Sequence, residues 1–477
     1  MTEGPTARPI PYRDPPGAFA VFAGDPVAAF LDSATETGPR GRYAYIAADP
    51  FRVITAAKGE TTLDGSPVAG DPFRVLERQL KMFRMGSDPD LPPFQGGAVG
   101  YLGYELGRHL ERLPPPLQTG LDIPELVIGL YDTIAAFDVQ TRQAWIFAAE
   151  LGAADKSLDR PSPEARAGAM ADRIADAPPL APVDWGPAGS WRPELSRRQY
   201  EDMVSRAIAY IHAGDIFQAN LTQRLLAARP EGLSPFMLYR RLRALSPAPF
   251  GAYLAAGPGM AVASASPERF LNLSPGGHVS TRPIKGTRPR GRTPGEDAKL
   301  ARDLIDSEKD QAENLMIVDL LRNDLSRVCR LGSVEVKELA GLESFANVHH
   351  LVSEVRGTLF PNKGAIDLLR ATFPGGSVTG APKIRAMEII NELEPARRGP
   401  YCGAIAWIGF DGAMDSAIVI RTLVIKDGEV AAQAGGGIVA DSDPGAEYEE
   451  AMDKAWAMLQ SLDPGEIAPG EIVKEQA

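Results

Sequence analysis

The chain of 477 residues contains only two cysteines, Cys329 and Cys402. Two cysteines are too few for a disulfide framework, and their spacing fits no metal-binding motif. We therefore expect a protein of the reducing cytoplasm. No window approaches the about 20 uninterrupted apolar residues of a membrane helix, so no membrane association is predicted. The N-terminal stretch MTEGPTARPIPYRDPPG has no apolar segment, so no signal peptide is predicted either.

An excess of positive charge is also missing. Lysine and arginine number 50 against 62 acidic residues, which gives a formal net charge of −12. A general nucleic-acid surface normally shows a basic patch, so nucleic acid is not an expected partner. A small anionic substrate remains compatible with this charge, provided that local cations or a metal ion offset the field. The hydrophobic fraction of 44% and the charged fraction of 23% are typical of a soluble globular protein.

The length suggests about two to four domains, or one large body with elaborations. Residues 152–190 combine a short helical pattern with a Pro/Ala-rich stretch. We interpret them as an exposed connection, which divides the chain into an N-terminal region, 1–184, and a C-terminal region, 185–477. Strands and helices do not alternate regularly, which predicts an α+β fold with an antiparallel β-sheet sandwich flanked by helices.

Several elements follow from hydrophobic periodicity and from capping signals. Strand-like runs occur at 42–48, 124–139, 143–151, 261–273 and 278–287. Helices are predicted from Ser196 to Gly214, over 299–322 and over 445–462.

Lys285 lies in the stretch STRPIKGTRPRG (279–290), where Pro283 and Gly286 favour a tight loop. Arg282 and Arg288 add positive charge on both sides. Neighbouring cations and partial desolvation lower the pKa of a lysine, so Lys285 could be a nucleophilic amine. A solvated charge in a surface turn explains the same pattern, and both interpretations stay open at this point.

Two predicted helices carry acids at helical spacing. Because helical residues advance by about 100°, Glu447, Glu450 and Lys454 share one face. Asp310 and Glu313 share a face of the earlier helix in the same way. Carboxylates from two helices that meet across a cleft suit Mg²⁺, which takes one or two protein carboxylates, several waters and an anionic substrate group. A pair of solvated charged faces is the alternative.

Three further motifs are less specific. Arg421 interrupts the apolar run IVIRTLVI, where it would bind either a ligand carboxylate or a structural acid. The glycines of AGGGIVA (434–440) offer backbone N–H groups for an anion, although a tight turn also explains them. FPGGSVTGAPK (373–383) lacks the Lys-Ser/Thr ending of a phosphate loop. Of the adjacent His349 and His350, at most one can face a site, since strand neighbours point to opposite faces.

These segments, read together, resemble the chorismate-utilising enzymes: anthranilate, aminodeoxychorismate, isochorismate and salicylate synthases. The resemblance runs through residues 195–462. Weaker similarity precedes it in FLDSA and GGAVGYLGYELGR. It is carried by GDIFQANLTQR, SASPERF, RPIKGTRPRG, AENLMIVDLLRNDLSRV, HHLVSEVRG, FPGGSVTGAPKIRAMEII, RGPYCGAIAWIG and AGGGIVADSDPGAEYEE.

The resemblance implies roles for named residues. Glu313 and Glu450 would be Mg²⁺ ligands, with Asp310 and Glu447 as nearby or water-mediated partners. The substrate carboxylate would be bound by Arg421, Tyr401 and the backbone of Gly436 and Gly437. The same cavity would be lined by Thr287, Ser377, His350 and Lys454.

Two positions separate the branches of the family. Anthranilate synthases read PIAGT where this chain has PIKGT, the form found in aminodeoxychorismate synthases. Isochorismate and salicylate synthases place a lysine base where this chain has Gln218. The resemblance thus implies aminodeoxychorismate synthase component I, which forms 4-amino-4-deoxychorismate from chorismate and ammonia for p-aminobenzoate and folate. Anthranilate synthase component I and a non-enzymatic chorismate-binding regulatory subunit are the alternatives.

In the implied mechanism, Lys285 adds to chorismate at C2 while the 4-hydroxyl leaves, and ammonia then enters at C4 and expels the lysine. Glu268 would protonate the departing hydroxyl, unless it is only a structural partner of Arg269. The chain lacks an amidotransferase signature, so a glutamine amidotransferase subunit is the expected source of ammonia.

A second ligand site follows from the same resemblance. Ser33 in FLDSA, with Pro249 and Phe250 in LSPAPFGAYL, corresponds to the tryptophan pocket of the family. A core strand followed by a proline turn would explain these residues equally well.

Overall fold

The computed structural model of the chain describes residues 4–34, 41–115, 120–152, 154–344 and 348–465. These residues form two 12-stranded sheets in which the paired strands run antiparallel, with helices packed on the outer faces. The predicted α+β class with antiparallel sheets flanked by helices is confirmed. No helix among the described residues combines the length and apolarity needed to cross a membrane.

The strands, in chain order, are β1 (Thr6–Ile10), β2 (Val27–Asp32), β3 (Tyr43–Ala47), β4 (Arg52–Ala57), β5 (Glu60–Leu63), β6 (Ser66–Pro67), β7 (Gly97–Leu102), β8 (Leu126–Tyr131), β9 (Thr133–Asp138), β10 (Gln143–Ala148), β11 (Arg192–Pro193), β12 (Gln218–Ala228), β13 (Phe250–Ala256), β14 (Met260–Ser266), β15 (Arg269–Leu273), β16 (His278–Thr281), β17 (Ile284–Pro289), β18 (Glu335–Ser344), β19 (Val348–Thr358), β20 (Gly380–Ala381), β21 (Ala404–Gly409), β22 (Met414–Ile418), β23 (Thr422–Lys426) and β24 (Glu429–Ile438).

The helices are α1 (Pro15–Phe19), α2 (Pro72–Met82), α3 (Pro163–Ala175), α4 (Arg197–His212), α5 (Pro235–Leu245), α6 (Pro294–Ile305), α7 (Glu308–Ser326), α8 (Ala365–Thr372), α9 (Lys383–Leu393) and α10 (Pro444–Leu462).

The first sheet has the order β1-β10-β9-β3-β2-β13-β14-β23-β24-β12-β11, with β20 also paired to β12. The second has the order β17-β19-β16-β15-β22-β21-β7-β8-β4-β5-β6, with β18 also paired to β19. Strands from both sides of the proposed 184/185 boundary are hydrogen-bonded in each sheet, as β2 with β13 and β7 with β21. The N-terminal and C-terminal regions therefore both contribute strands to each sheet, and the boundary between them stays a prediction.

Apolar residues fill the space between the sheets and the space outside each of them. Tyr45 of the first sheet and Tyr101 of the second belong to one buried cluster between them. Phe30 and Leu242 lie in a cluster on the outer side of the first sheet. Both cysteines are buried and free, as expected for a chain without a disulfide framework.

The helix predicted from Ser196 begins as expected. The Ser196 hydroxyl accepts a hydrogen bond from the backbone of Gln199, whose side chain returns the contact to the backbone N–H of Ser196. This capping box satisfies two amide groups at the start of α4. Gly214 follows the helix with φ of +83°, a conformation that favours glycine, and the chain then enters β12.

The single helix predicted over 299–322 is wrong. The chain forms α6 and α7 instead, because the Ser307 hydroxyl accepts a hydrogen bond from the backbone N–H of Asp310 and starts a new helix. As a result, Asp310 and Glu313 lie in the first two turns of α7. The acidic face predicted for this segment therefore lies at the N-terminal end of α7.

Three predicted single strands, 124–139, 261–273 and the run IVIRTLVI, are each divided where the chain passes from one sheet to the other. Residues 124–139 form β8 and β9, which belong to different sheets and are separated by Asp132. The run IVIRTLVI is divided between β22 and β23, with Arg421 in between at φ of +51°. The chain also changes sheets between β14 and β15, where Glu268 lies. Glu268 and Arg421 are thus on connections between the two sheets.

Candidate active site

A cavity of about 560 Å³ opens beside these connections and is walled by α7 and α10. Its lining includes every residue predicted for the active site except Gly436. Those lining residues are Glu268, Lys285, Thr287, Asp310, Glu313, His350, Ser377, Tyr401, Arg421, Gly437, Glu447, Glu450 and Lys454. Residues predicted separately from helices, strands and loops therefore meet in one place.

Lys285 projects into this cavity from β17. Its side chain is 12% exposed, and its Nζ donates a hydrogen bond of 2.9 Å to Glu313 Oε1. A second, longer contact of 3.5 Å joins Nζ to the carbonyl of Ser377. The pairing of β17 with β19 is irregular between Lys285 and Thr287, and Gly286 lies there with φ of +75°. The surface-turn interpretation of Lys285 is wrong, since the amine is a partly buried group of the cavity.

Glu268 is buried beside Lys285. Burial raises the pKa of its carboxyl group to about 6, although a hydrogen bond with the Ser377 side chain and the charge of Lys285 act in the opposite direction. The alternative role as a partner of Arg269 is wrong, because Arg269 binds Asp415 through two hydrogen bonds of 2.9 and 2.8 Å. A carboxyl group with a raised pKa in a cavity can hold a proton and donate it.

The carboxylates of α7 and α10 face the cavity from two sides. Cations contact three of them: Lys285 binds Glu313, Lys454 binds Glu450 at 2.6 Å, and Arg288 binds Asp310 at 3.0 Å. Burial, together with the nearby Glu450 charge, raises the pKa of the fourth, Glu447. Ser442 donates a 2.7 Å hydrogen bond to Glu447 Oε1, while the buried Oε2 has no hydrogen-bond partner among the described residues.

The donor set can be compared with the needs of Mg²⁺. No three histidine, cysteine or acidic residues in the described ranges are arranged to hold a metal ion together. Mg²⁺ needs only one or two protein carboxylates, and Glu313 and Glu450 both reach the cavity. The unpaired buried oxygen of Glu447 also fits a cation nearby, and the magnesium site stays a prediction.

The two predicted glycines lie close to these acids. A Cβ at Gly436 would be 2.9 Å from Glu447 Oε2, and one at Gly437 would be 1.8 Å from Gln218 Nε2 and 2.9 Å from Glu313 Oε1. Side chains at either position would therefore displace the carboxylates. Gly436 is not among the lining residues, but the Cβ position places it beside Glu447, Glu450 and Lys454, which do line the cavity, and its predicted role in binding the substrate carboxylate stays a prediction.

The glycine-rich segment continues β24 and does not form the tight turn considered above. Its partner β12 pairs Asn220 with Gly437, whereas the pairing with β23 ends at Leu423 and Ala432. Beyond Ala432, β24 is paired with β12 along one edge, and no further pairing with β23 is found among the described residues. The cavity is lined by Gln433, Gly435 and Gly437 of the same strand.

Arg421 is half-buried at the cavity wall, and desolvation lowers the pKa of its guanidinium group. No carboxylate among the described residues forms an ion pair with it, so the structural salt bridge considered from the sequence is absent there. Burial raises the pKa of the neighbouring Tyr401 well above its usual value, so the phenol keeps its proton. An unpaired guanidinium beside a phenol is a suitable site for a carboxylate.

The two histidines point in opposite directions, as predicted. His350 lines the cavity, and its Nδ1 lies 2.9 Å from Thr287 Oγ1. Burial lowers its pKa to about 4, so the ring is neutral near pH 7. His349 faces away, with Nε2 3.0 Å from Asp297 Oδ1 of α6.

Sequence reasoning missed several cavity residues. Lys309 precedes Asp310 and shares a helical face with Glu313, a spacing that identifies it in retrospect. Gln433 shares a strand face with Gly435 and Gly437 by the two-residue period of a strand. Asn220 carries no comparable signal, since its position depends on the pairing of β12 with β24.

A second cavity of about 380 Å³ lies between the sheets. Ser33, Pro249 and Phe250, the residues predicted for a tryptophan pocket, all line it, as do Tyr45 and Trp407. They meet because β2 pairs directly with β13. The ligand of this cavity stays a prediction.

The fold and the main cavity define an enzyme-like site, in which a lysine, a protonatable carboxyl and an unpaired arginine face a space suited to a small anion. The chain matches the chorismate binding enzyme family over residues 28–460 and belongs to that family. Aminodeoxychorismate synthase component 1 of Salmonella typhimurium is 42% identical over 97% of this chain and 99% of that protein. Anthranilate synthase component 1 of Streptomyces coelicolor is equally similar, at 42% over 95% and 87%.

Solved structures agree with this assignment. Anthranilate synthase component I of Streptococcus pneumoniae superimposes with a TM-score of 0.79 at 32% identity, covering 89% of this chain and 93% of that one. The menaquinone-specific isochorismate synthase of Escherichia coli shares the fold, with a TM-score of 0.70 at 17% identity over 97% and 96% of the two chains.

Proposed function

We propose that this member of the family is an aminodeoxychorismate synthase component I, which converts chorismate and ammonia to 4-amino-4-deoxychorismate. The observation that carries the proposal is the amine of Lys285, held inside the cavity between Glu313 and Ser377. In the first step, Arg421 and Tyr401 bind a carboxylate of chorismate. Glu313 and Glu450 would hold Mg²⁺, which when bound orients the ring carboxylate and spreads its charge.

The chemistry proceeds by two displacements. The free-base amine of Lys285 forms a bond to C2, both double bonds of the ring diene shift by one position, and the C4–O bond breaks as Glu268 donates a proton that makes water the leaving group. Ammonia then forms a bond to C4, both double bonds shift back, and the C2–N bond breaks to restore the lysine. The ammonia nitrogen loses a proton that replaces the one Glu268 donated. Two displacements retain the configuration at C4, whereas one would invert it.

Anthranilate synthase component I is the second candidate, because a relative of that name is equally similar to this chain. Lys285 favours the first candidate, since the resemblance places alanine at this position in anthranilate synthases. A chorismate-binding regulatory subunit without activity is the third, and the filled catalytic positions oppose it.

Ammonia would come from a glutamine amidotransferase subunit. The relatives are named component 1, which supports a second component for this chain as well. We also propose a cytoplasmic location, in keeping with two free, buried cysteines.

The test is to incubate the purified chain with chorismate, Mg²⁺ and ammonium and to identify the product. We expect aminodeoxychorismate and no anthranilate. Without ammonia, mass spectrometry should find a chorismate-derived adduct on the peptide that contains Lys285, and the Lys285→Ala variant should show neither adduct nor product. Anthranilate formation without an added lyase would reject the proposed reaction, and full activity of Lys285→Ala would reject the covalent role alone.

A further inference from the structure

Residues 373–382, called here the Ser377 loop, join α8 to α9 and reach into the cavity. The Ser377 side chain is hydrogen-bonded to the carboxyl group of Glu268, and its carbonyl lies 3.5 Å from Lys285 Nζ. Most of the loop is buried, but its only regular structure is one short turn of 3₁₀ helix and the two residues of β20. Its placement therefore depends on contacts at its ends and with the surrounding elements.

One side chain ties the two ends of this loop together. Lys383, the first residue of α9, donates a hydrogen bond of 2.8 Å to the carbonyl of Thr372, the last residue of α8. The same Nζ also binds the carboxylate of Asp324. Asp324 lies on α7, the helix that carries Glu313, so Lys383 fixes the loop relative to the predicted metal-binding helix. The Lys383 and Asp324 side chains are only 13% and 5% exposed.

The ion pair between Lys383 and Asp324 is not expected to add much to the stability of the fold. A cation at the first position of a helix opposes the helix dipole. Burial lowers the pKa of Lys383 and raises that of Asp324, so desolvation works against both charged forms. Buried ion pairs of this kind contribute little net stability compared with apolar residues of the same size. What Lys383 does provide is a fixed position for the ends of the loop, because an apolar side chain at position 383 could not donate a hydrogen bond to the Thr372 carbonyl.

We propose that Lys383 is a positioning residue, which holds the Ser377 loop so that Ser377 stays against Glu268 and Lys285 during catalysis. This inference rests on the roles proposed above for Glu268 and Lys285. Lys383 acts through the loop and does not line the cavity.

The arrangement predicts a specific kinetic signature. Among the described residues, the charged or titratable groups that interact electrostatically with Glu268 include Lys285, Lys454 and the thiol of Cys402. The Ser377 hydrogen bond lowers the pKa of Glu268. If the loop moves and this hydrogen bond is lost, the pKa of Glu268 rises. The pH above which kcat declines should then shift to a higher value. Arg421 and Tyr401 lie outside the loop, so KM for chorismate should change little.

The experiment compares three variants by chorismate consumption, thermal melting and a pH profile. Lys383→Met should lose about 10- to 100-fold in kcat, because small displacements of reacting groups have effects of this size. The Lys383→Met/Asp324→Asn double variant removes both buried charges, so its Tm should recover while kcat stays low. Arg166→Met is the control, since it removes a buried cation that contacts Asp132 outside this site. We expect a lower Tm and an unchanged pH profile for the control.

Amide hydrogen exchange provides a measurement that does not depend on the reaction. Peptides covering 373–382 should exchange faster in Lys383→Met and in the double variant, but not in Arg166→Met. Recovery of both Tm and kcat in the double variant, or unchanged exchange in this loop, would overturn the inference. If the wild-type product proves to be anthranilate, the proposed function fails while these comparisons still decide the role of Lys383.

Discussion

Arg421 and Glu268 occupy connections at which the chain leaves one sheet and enters the other. A connection of this kind leaves its side chain outside the regular pairing of either sheet, so that a charged group there can face a cavity. Arg421 has no acid partner among the described residues, and Glu268 has a raised pKa. Both side chains are therefore available to interact with a ligand.

Arg421→Met should weaken substrate binding without loss of stability. Removing a charged hydrogen-bonding partner of a carboxylate raises KM for chorismate by about 30-fold or more. Because the guanidinium is desolvated without an acid partner, Tm should stay level or increase. Arg224→Met is the matched control, because Arg224 is buried and binds Glu194 at 2.6 Å. This variant should have a lower Tm and an unchanged KM for chorismate. A lower Tm for Arg421→Met would indicate a structural role.

Glu268→Gln should change the dependence of stability on pH. The pKa in the folded protein is about 6, raised from 4.5, so the stability contributed by this carboxyl is fully present below pH 4.5 and is lost as the pH rises through about 6. That shift corresponds to about 2 kcal/mol. Glutamine does not titrate, so the variant should gain about 2 kcal/mol relative to wild type between pH 4.5 and pH 7. Urea unfolding at several pH values measures the difference, and a constant difference would contradict the assignment.

At the scale of elements, α7 and α10 bring their acids to one cavity because each presents them at helical spacing. Neighbouring residues of α10 point elsewhere: Glu449 binds Arg197 of α4 at 2.6 Å, on the outer surface. The two adjacent glutamates of α10 thus have different surroundings.

Glu450→Gln should abolish Mg²⁺-dependent conversion of chorismate, whereas Glu449→Gln should leave it within about twofold, as expected for a surface ion pair. Isothermal titration with Mg²⁺ in the presence of chorismate tests binding separately from turnover. Equal Mg²⁺ affinity of the two variants would exclude Glu450 as a ligand.

At the scale of the whole molecule, the predicted metal ligands Glu313 and Glu450 are not members of the buried apolar clusters that hold the fold together. Removal of Mg²⁺ by EDTA should therefore stop the reaction and leave the protein folded. Lys285, Lys454 and Arg288 already contact three of the acids, which limits repulsion in the metal-free site. Mg²⁺ at about 100 times its Kd would add about 2.7 kcal/mol of stability. Circular dichroism before and after chelation tests this, and unfolding on chelation would contradict it.

The sequence predicted the class of fold, and all but one of the residues that it named for the active site line the main cavity, because the resemblance to the chorismate-utilising enzymes marks them by motif. It did not predict the new helix at Ser307, where a single hydroxyl decides the boundary. It also missed the divisions at Asp132, Glu268 and Arg421, because a strand-like pattern is the same whether the chain stays in one sheet or changes sheets.

The pairing of β7 with β21 has a consequence for biosynthesis. Leu102 pairs with Ala404, so about 300 residues must be translated after β7 before its partner leaves the ribosome. At 5–20 residues per second, this delay lasts about 15–60 s. During that time β7 has an open edge, which is an attachment point for chaperones or for another nascent chain. Ribosome-stalled chains that end before residue 404 should be cut by protease near β7, and resistance equal to that of the released protein would contradict this.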